Sequence, residues 1–162
     1  MGEKIKYATF FLSGIYFGIP AISVQEVLEY QTIVPIPLAP AAMPGVINLR
    51  GQILTVLDLR ERLQLPGRDP DTIRDSRMAV LRTQEGPLTI LIDRVGEICD
   101  ADSEWFEPPA ETIRANVRSV VSHLCKLEGQ LLLILDIGKL IPDEARSVQT
   151  ARPDGAPEVV AN

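Results

Sequence analysis

Three segments of this chain repeat one template. Ile53-Leu54-Thr55-Val56-Leu57-Asp58, Leu88-Thr89-Ile90-Leu91-Ile92-Asp93 and Leu131-Leu132-Leu133-Ile134-Leu135-Asp136 are each a nearly unbroken apolar run closed by an aspartate. A strand that is apolar on both faces needs cover on both faces, or the interior of a closed sheet. The segments around these runs are short and punctuated by glycine and proline. Many short strands with glycine turns and few long helices predict small barrels. The expected fold class is all-β, with two half-size barrels packed on one apolar seam and short helices at the periphery. Closure of the barrels also protects their sheet edges.

Residues 7–12 and 15–19 flank Ser13-Gly14 and read as a β-hairpin with aromatic and β-branched arms. A helical turn at 21–23 and an irregular strand through Val27 follow. Residues 33–44 hold Pro35, Pro37, Pro40 and Pro44. Proline fixes φ and removes a donor, so this stretch reads as an ordered extended loop rather than a ladder strand. It delivers the chain to Gly45-Val46-Ile47-Asn48-Leu49-Arg50-Gly51, where one arginine precedes a glycine on a tight turn between two buried segments. A short helix is expected at 59–64 and a surface loop at 68–75. A second hairpin is predicted from 77–83 and 88–93, and another strand at 94–99. Residues 100–115 form a connection over the core, with Trp105 and Phe106 covering its edge. Residues 117–125 and 130–136 pair around Glu128-Gly129, and 137–141 begins a short helix. Residues 143–162 turn polar and rich in Pro, Ala and Gly, which predicts a disordered tail.

The 162 residues suit one domain or two very small subdomains sharing a core. Aromatics are only 5%, so that core must be aliphatic. A net charge of −6 argues against nucleic-acid binding, which usually needs a basic face. No run reaches about 18 apolar residues, so no membrane insertion is expected, and the cytoplasm is the predicted compartment. Cys99 and Cys125 are the only cysteines. They lack the Cys-x2–4-Cys spacing of structural zinc, so a metal site of Cys99, His123 and Cys125 is disfavoured against ordinary core thiols.

Asp58, Asp93 and Asp136 admit two readings. Paired carboxylates divide acid and base work when their environments separate their pKa values. Alternatively, each caps the turn after its strand by accepting a free backbone N–H. A small enzyme using Asp58, Asp93, Asp136 and His123 requires these groups to converge in a cleft. A small-molecule-binding barrel requires an enclosed cavity of roughly 300 Å³ or more. No glycine pattern cradles phosphate, and nothing near the aspartates supplies a nucleophile or a repeated metal-ligand spacing, so neither a cofactor nor catalysis is expected. Arg50 either braces the turn through Asp58 or Glu26 or offers its guanidinium fork to a partner. Glu26, between Gln25 and Val27, has the same two readings.

Gly45 to Gly51, followed by Val56-Leu57-Asp58-Leu59-Arg60, resembles the signature of the CheW-like domain family, the adaptors of bacterial chemosensory arrays. Phe17-Gly18-Ile19-Pro20, Val24-Gln25-Glu26-Val27, Ile92-Asp93-Arg94-Val95-Gly96-Glu97-Ile98 and Leu133 to Leu140 support the resemblance, which covers about residues 5–141. It implies a single domain of two intertwined five-stranded SH3-like barrels and no catalysis. It further implies an adaptor that bridges a CheA-type histidine kinase to the cytoplasmic tip of methyl-accepting chemoreceptors and is recruited to their membrane-associated arrays. By the same resemblance, Val24, Glu26, Val27, Arg50, Val95 and Ile98 lie at or near a receptor-facing groove. Leu54, Val56 and Leu57 mark a kinase-facing surface. The chain departs from the family in carrying Thr89 and Ser122-His123 where glycines are usual.

Overall fold

The computed structural model describes residues 2–143. It opens with the hairpin β1 (Lys4–Leu12) and β2 (Ile15–Pro20), then β3 (Val24–Glu29), β4 (Val34–Pro35), β5 (Gly45–Leu49) and β6 (Gln52–Asp58). The single-turn helix α1 (Leu59–Arg62) leads to β7 (Arg77–Thr83) and β8 (Gly86–Ile92). Next come β9 (Arg94–Val95), β10 (Cys99–Asp102), β11 (Phe106–Glu107), α2 (Ala115–Arg118), β12 (Val121–Leu127) and β13 (Gln130–Leu135). Short 3-10 turns punctuate the chain at 21–23, 70–75, 103–105 and 137–139. The tail predicted over 143–162 lies outside the described residues from 144 onward.

These strands form two sheets of the same plan. One runs β10-β1-β2-β13-β12-β11 and the other β3-β7-β8-β6-β5-β4, with β9 added against β1. In each, an antiparallel hairpin joins a second hairpin through one parallel contact: β2 with β13 in the first sheet, β8 with β6 in the second. The chain order is crossed. The N-terminal hairpin β1–β2 belongs to the sheet built by β10–β13, and β7–β8 belongs to the sheet built by β3–β6. Each half of the chain thus lends its leading hairpin to the other half's barrel. Each sheet has five strands of four residues or more, and the remainder are two-residue edge strands. The all-β, intertwined architecture expected from the sequence is the one observed.

The template strands are covered on both faces, and the alternation shows how. On β6, Leu54 and Val56 point into one barrel with Ile47, Met78, Val80 and Leu91. Leu57 points the other way, into the seam between the barrels, beside Leu12, Phe17, Leu88 and Ile90. The other barrel closes over Tyr7, Ala101, Cys125, Leu132 and Ile134. Fully burying one such aliphatic side chain is worth roughly 1.5–3 kcal/mol, so the seam adds to stability alongside the two barrel interiors.

This packing corrects the kinase-facing expectation. Leu54, Val56 and Leu57 are at most 2% exposed, so none can present its side chain to a partner. The barrel interiors are likewise occupied by buried side chains: Ile47, Leu54, Val56, Met78, Val80 and Leu91 in one, Tyr7, Ala101, Cys125, Leu132 and Ile134 in the other. A polar recess of about 390 Å³ between Glu29, Tyr30, Arg74, Asp75 and Arg77 is open to solvent.

Local departures have local causes. Pro35 does enter a ladder, opposite Gly45, but in a two-residue edge strand where its missing N–H costs nothing. Gly45 is required there, because a Cβ would stand 2.0 Å from the Val34 carbonyl oxygen. The predicted loop at 68–75 is instead a 3-10 turn, Pro70–Asp75, whose Asp71 N–H is capped by the Asp69 carboxylate. The expected strand at 94–99 divides into β9 and β10, and residues 115–118 are helical before β12 begins. Thr89 is buried in the middle of its sheet between Val56 and Val80, and its hydroxyl has no hydrogen-bond partner among the described residues.

Candidate functional site

An apolar groove of about 280 Å³ opens where the two barrels meet. Val24 and Val27 form one wall, Val95 and Ile98 the other, and Phe10, Ile19 and Ile92 its floor. Val24 and Val27 are three residues apart, so a regular strand would place them on opposite faces. A bulge between Val24 and Glu26 resolves this: Val24 pairs with Leu81, but Glu26 already pairs with Val80 and Val27 with Ala79. One extra residue on β3 therefore brings both valines to the seam side. On the opposite wall, Val95 is in register with Phe10 of β1. Two bonds hold the 94–98 segment there: Gly96 N–H to the Thr9 carbonyl at 2.8 Å, and Thr9 Oγ1–H to the Glu97 carbonyl at 2.6 Å. Gly96 allows this closeness, since a Cβ would sit 2.3 Å from Thr9 Oγ1.

Val27, Val95 and Ile98 are 44%, 43% and 59% exposed. These apolar side chains lie open to solvent beside a continuous core. Val24, Val27, Val95 and Ile98, which the resemblance groups together, thus line one groove. Ala8, Thr9 and Gly96 also belong to the site and were missed. No local pattern marks them, because their role depends on a pairing between residues more than 80 positions apart.

Glu26 faces away from the groove, on the other side of β3, and carries a salt bridge with Arg50. Of the two partners open to Arg50 in the sequence, Glu26 is the one observed. Arg50 and Gly51 are the two turn residues of the β5–β6 hairpin, at φ of 52° and 86°. Two positive φ values define the hairpin turn that matches strand twist, and Asn or Gly normally occupies its first position. Asn48 Oδ1 accepts the Gly51 N–H at 2.9 Å and steadies the turn. An arginine in left-handed backbone costs about 1–2 kcal/mol relative to right-handed backbone. Its side chain is nevertheless 67% exposed, so the strain is not offset by burial.

The aspartates do not form a catalytic set. Asp58 caps α1 by accepting the Arg60 N–H, and Asp136 caps the 3-10 turn at 137–139 by accepting the Gly138 N–H. Asp93 instead reaches across the chain. It accepts the Ser13 N–H at 2.8 Å and both Arg60 Nε and Nη2, at 3.0 and 2.5 Å. Arg68 spans the cluster, bonding Asp58 at 2.9 Å and standing 3.7 Å from Asp93. Burial alone would raise the Asp93 carboxyl pKa. The hydrogen bonds from Arg60 and Ser13, with the charges of Arg60 and Arg68, outweigh it and hold the pKa below the ordinary range. Asp58 and Asp93 do meet, but around two guanidinium groups that consume their acceptors.

His123 lies elsewhere, against the Phe106 ring at 4.1 Å, with Nδ1 near Ser122 Oγ and Nε2 buried without a partner among the described residues. Burial pushes its pKa down. Burial raises both the Cys99 and the Cys125 thiol. Among the described residues no group of three His, Cys, Asp or Glu side chains is placed to hold a metal ion. No helix among them is long and apolar enough to cross a membrane.

Residues 6–145 match the family model described as CheW-like domain. A chemotaxis protein CheW of Treponema pallidum is 27% identical over 140 residues, covering 85% of this chain and 82% of that protein. A chemotaxis protein CheW of Bacillus subtilis is 26% identical over 155 residues, covering 96% of each. The crystal structure of the scaffolding protein TtCheW from Thermoanaerobacter tengcongensis superposes with a TM-score of 0.76 at 28% identity, covering 86% of this chain and 93% of that one.

Proposed function

The chain belongs to the CheW-like domain family, and on that premise we propose that it couples a CheA-type histidine kinase to the cytoplasmic tip of methyl-accepting chemoreceptors. The protein is a non-catalytic adaptor of chemosensory signalling. The observation that carries the receptor reading is the convergence of Val24, Val27, Val95 and Ile98 on one open apolar groove. An amphipathic helix lays its apolar stripe into such a groove. Glu26 and Arg50 stand across β3 from it, where they meet the polar flank of the same partner. With Leu54, Val56 and Leu57 in the core, the kinase-facing surface of that barrel falls to Val34 and Leu38, which are 58% and fully exposed. Each contact is small, and recruitment into membrane-associated arrays multiplies weak contacts by effective concentration.

The test is reconstitution with a soluble receptor cytoplasmic fragment and a CheA-type kinase from the same organism. The protein is expected to bind both and to raise receptor-controlled autophosphorylation. Val27→Asp is expected to abolish receptor capture while leaving the melting temperature near that of the parent. Unchanged capture by this variant, with the domain folded, would remove the groove from the function.

A further inference from the structure

We propose that Arg94 reads charge at this groove: it takes a carboxylate from the polar flank of the chemoreceptor helix whose apolar face fills the groove. The proposal rests on the receptor reading above and adds to it the chemistry of the partner.

Three neighbouring strands place Arg94, Phe11 and Tyr16 side by side. Phe11 is in register with Arg94 of β9 on one side and with Tyr16 of β2 on the other. The Phe11 and Tyr16 rings stack at 4.8 Å with 26° between their planes, and the Arg94 guanidinium carbon stands 4.0 Å above the Phe11 centroid. Stacking engages the face of a guanidinium and leaves its in-plane N–H fork free. Arg94 is exposed, and among the described residues its side chain makes no ion pair and donates no hydrogen bond. Its sequence neighbour Asp93 is already committed to Arg60. A fixed cation with unused donors thus stands on a chain whose net charge is −6. Holding the side chain on a ring removes much of the rotamer entropy that weakens exposed ion pairs.

Position links this cation to the groove. Val95, the next residue, turns to the groove side, and Arg94 turns to the other face of the same two-residue strand. Among the described strands β9 pairs with β1 alone, so its second edge is open. A helix with its side chains is about 10–12 Å across, wide enough to seat on Val95 and Ile98 while its flank passes over that edge. A Glu or Asp on the flank then meets the Arg94 fork. Across the groove, on the far face of β3, lies the Glu26–Arg50 pair, so the two rims together constrain how the helix is rotated.

The experiment is calorimetric binding of the full chain to a soluble receptor fragment from its own organism, over a salt series. Arg94→Gln is expected to weaken binding about tenfold and to flatten the salt dependence, as losing one charge pair at an interface does. Phe11→Leu, which keeps the charge but removes its platform, should fall between. Arg94→Glu should bind worst and recover when a flank Glu of the receptor helix is changed to Arg. Val95→Asp is the control for the groove. If Arg94→Gln binds within about twofold of the parent with the same salt slope while Val95→Asp fails, the charge-reading role is wrong and the groove stands. If Val95→Asp also binds normally, the groove reading falls and takes this proposal with it.

Discussion

Two arginine–carboxylate assemblies of this protein use the same chemistry at different depths. In the first, Arg60 and Arg68 are 17% and 10% exposed and hold Asp93 and Asp58, which are 23% and 14% exposed. In the second, Arg50 is 67% exposed and holds Glu26 at the tip of a hairpin. The first ties α1, the end of β8 and the β1–β2 turn through groups that cannot return to water without opening the fold. The second joins β3 to the β5–β6 turn on the surface, where exposed pairs are worth about 0–1 kcal/mol. Depth therefore separates a buried brace from a pair whose arginine stays largely in solvent.

The strongest way to break this comparison is Asp93→Ala. It leaves the mostly buried Arg60 guanidinium and the Ser13 N–H without their carboxylate, while Arg68 keeps Asp58, and should cost about 3 kcal/mol in urea unfolding. A loss under about 1 kcal/mol would place the buried cluster in the same class as the exposed pair. Acid should act on the same cluster. Asp93 has a folded-state pKa below its unfolded value, so its stabilisation is complete above the unfolded pKa and is lost as pH falls through the folded one. His123 is also lowered, here by burial, so the unfolded chain takes up its proton first and stability begins to decline as pH drops below about 6.5. His123→Leu should remove that upper limb of the pH–stability curve and leave the acidic limb set by Asp93.

Thr89→Val separates depth from charge. It deletes a buried hydroxyl with no partner among the described residues at nearly constant volume, and should stabilise the protein by about 1 kcal/mol. A loss of stability would mean that the hydroxyl is satisfied. The smallest effect on stability is expected at the exposed pair. Arg50→Asn suits the left-handed turn position and should leave unfolding within about 1 kcal/mol of the parent, while reducing kinase control in the reconstituted system. A melting shift large enough to account for the lost signal would reassign Arg50 to the brace.

The residues explain how much of this could be read in advance. The caps made by Asp58 and Asp136 act over two residues of chain, and local chemistry announces them. Asp93 ends the same template, yet its partners lie 33 and 80 residues away, so the template alone cannot separate it from the other two. Arg68 sits in a charged stretch that reads as a surface loop, and only the pairing of β6 with β8 brings its two aspartates within reach. The choice of Glu26 over Asp58 for Arg50 has the same origin: Asp58 is already occupied by its cap and by Arg68. The burial of Leu57 depended on the second barrel, which covers the face of β6 that a single barrel would leave bare.

By itself the sequence determined the strands, their turns and the demand for cover on both faces, because alternation, glycine and proline act within a few residues. It also carried the family signature at Gly45 to Arg60. Only the tertiary structure decided which hairpin enters which barrel, that a bulge at β3 turns both valines to one side, and that Arg94 stands free on a stacked ring. Those outcomes rest on contacts between residues far apart in the chain, whose energies arise only once the seam has closed.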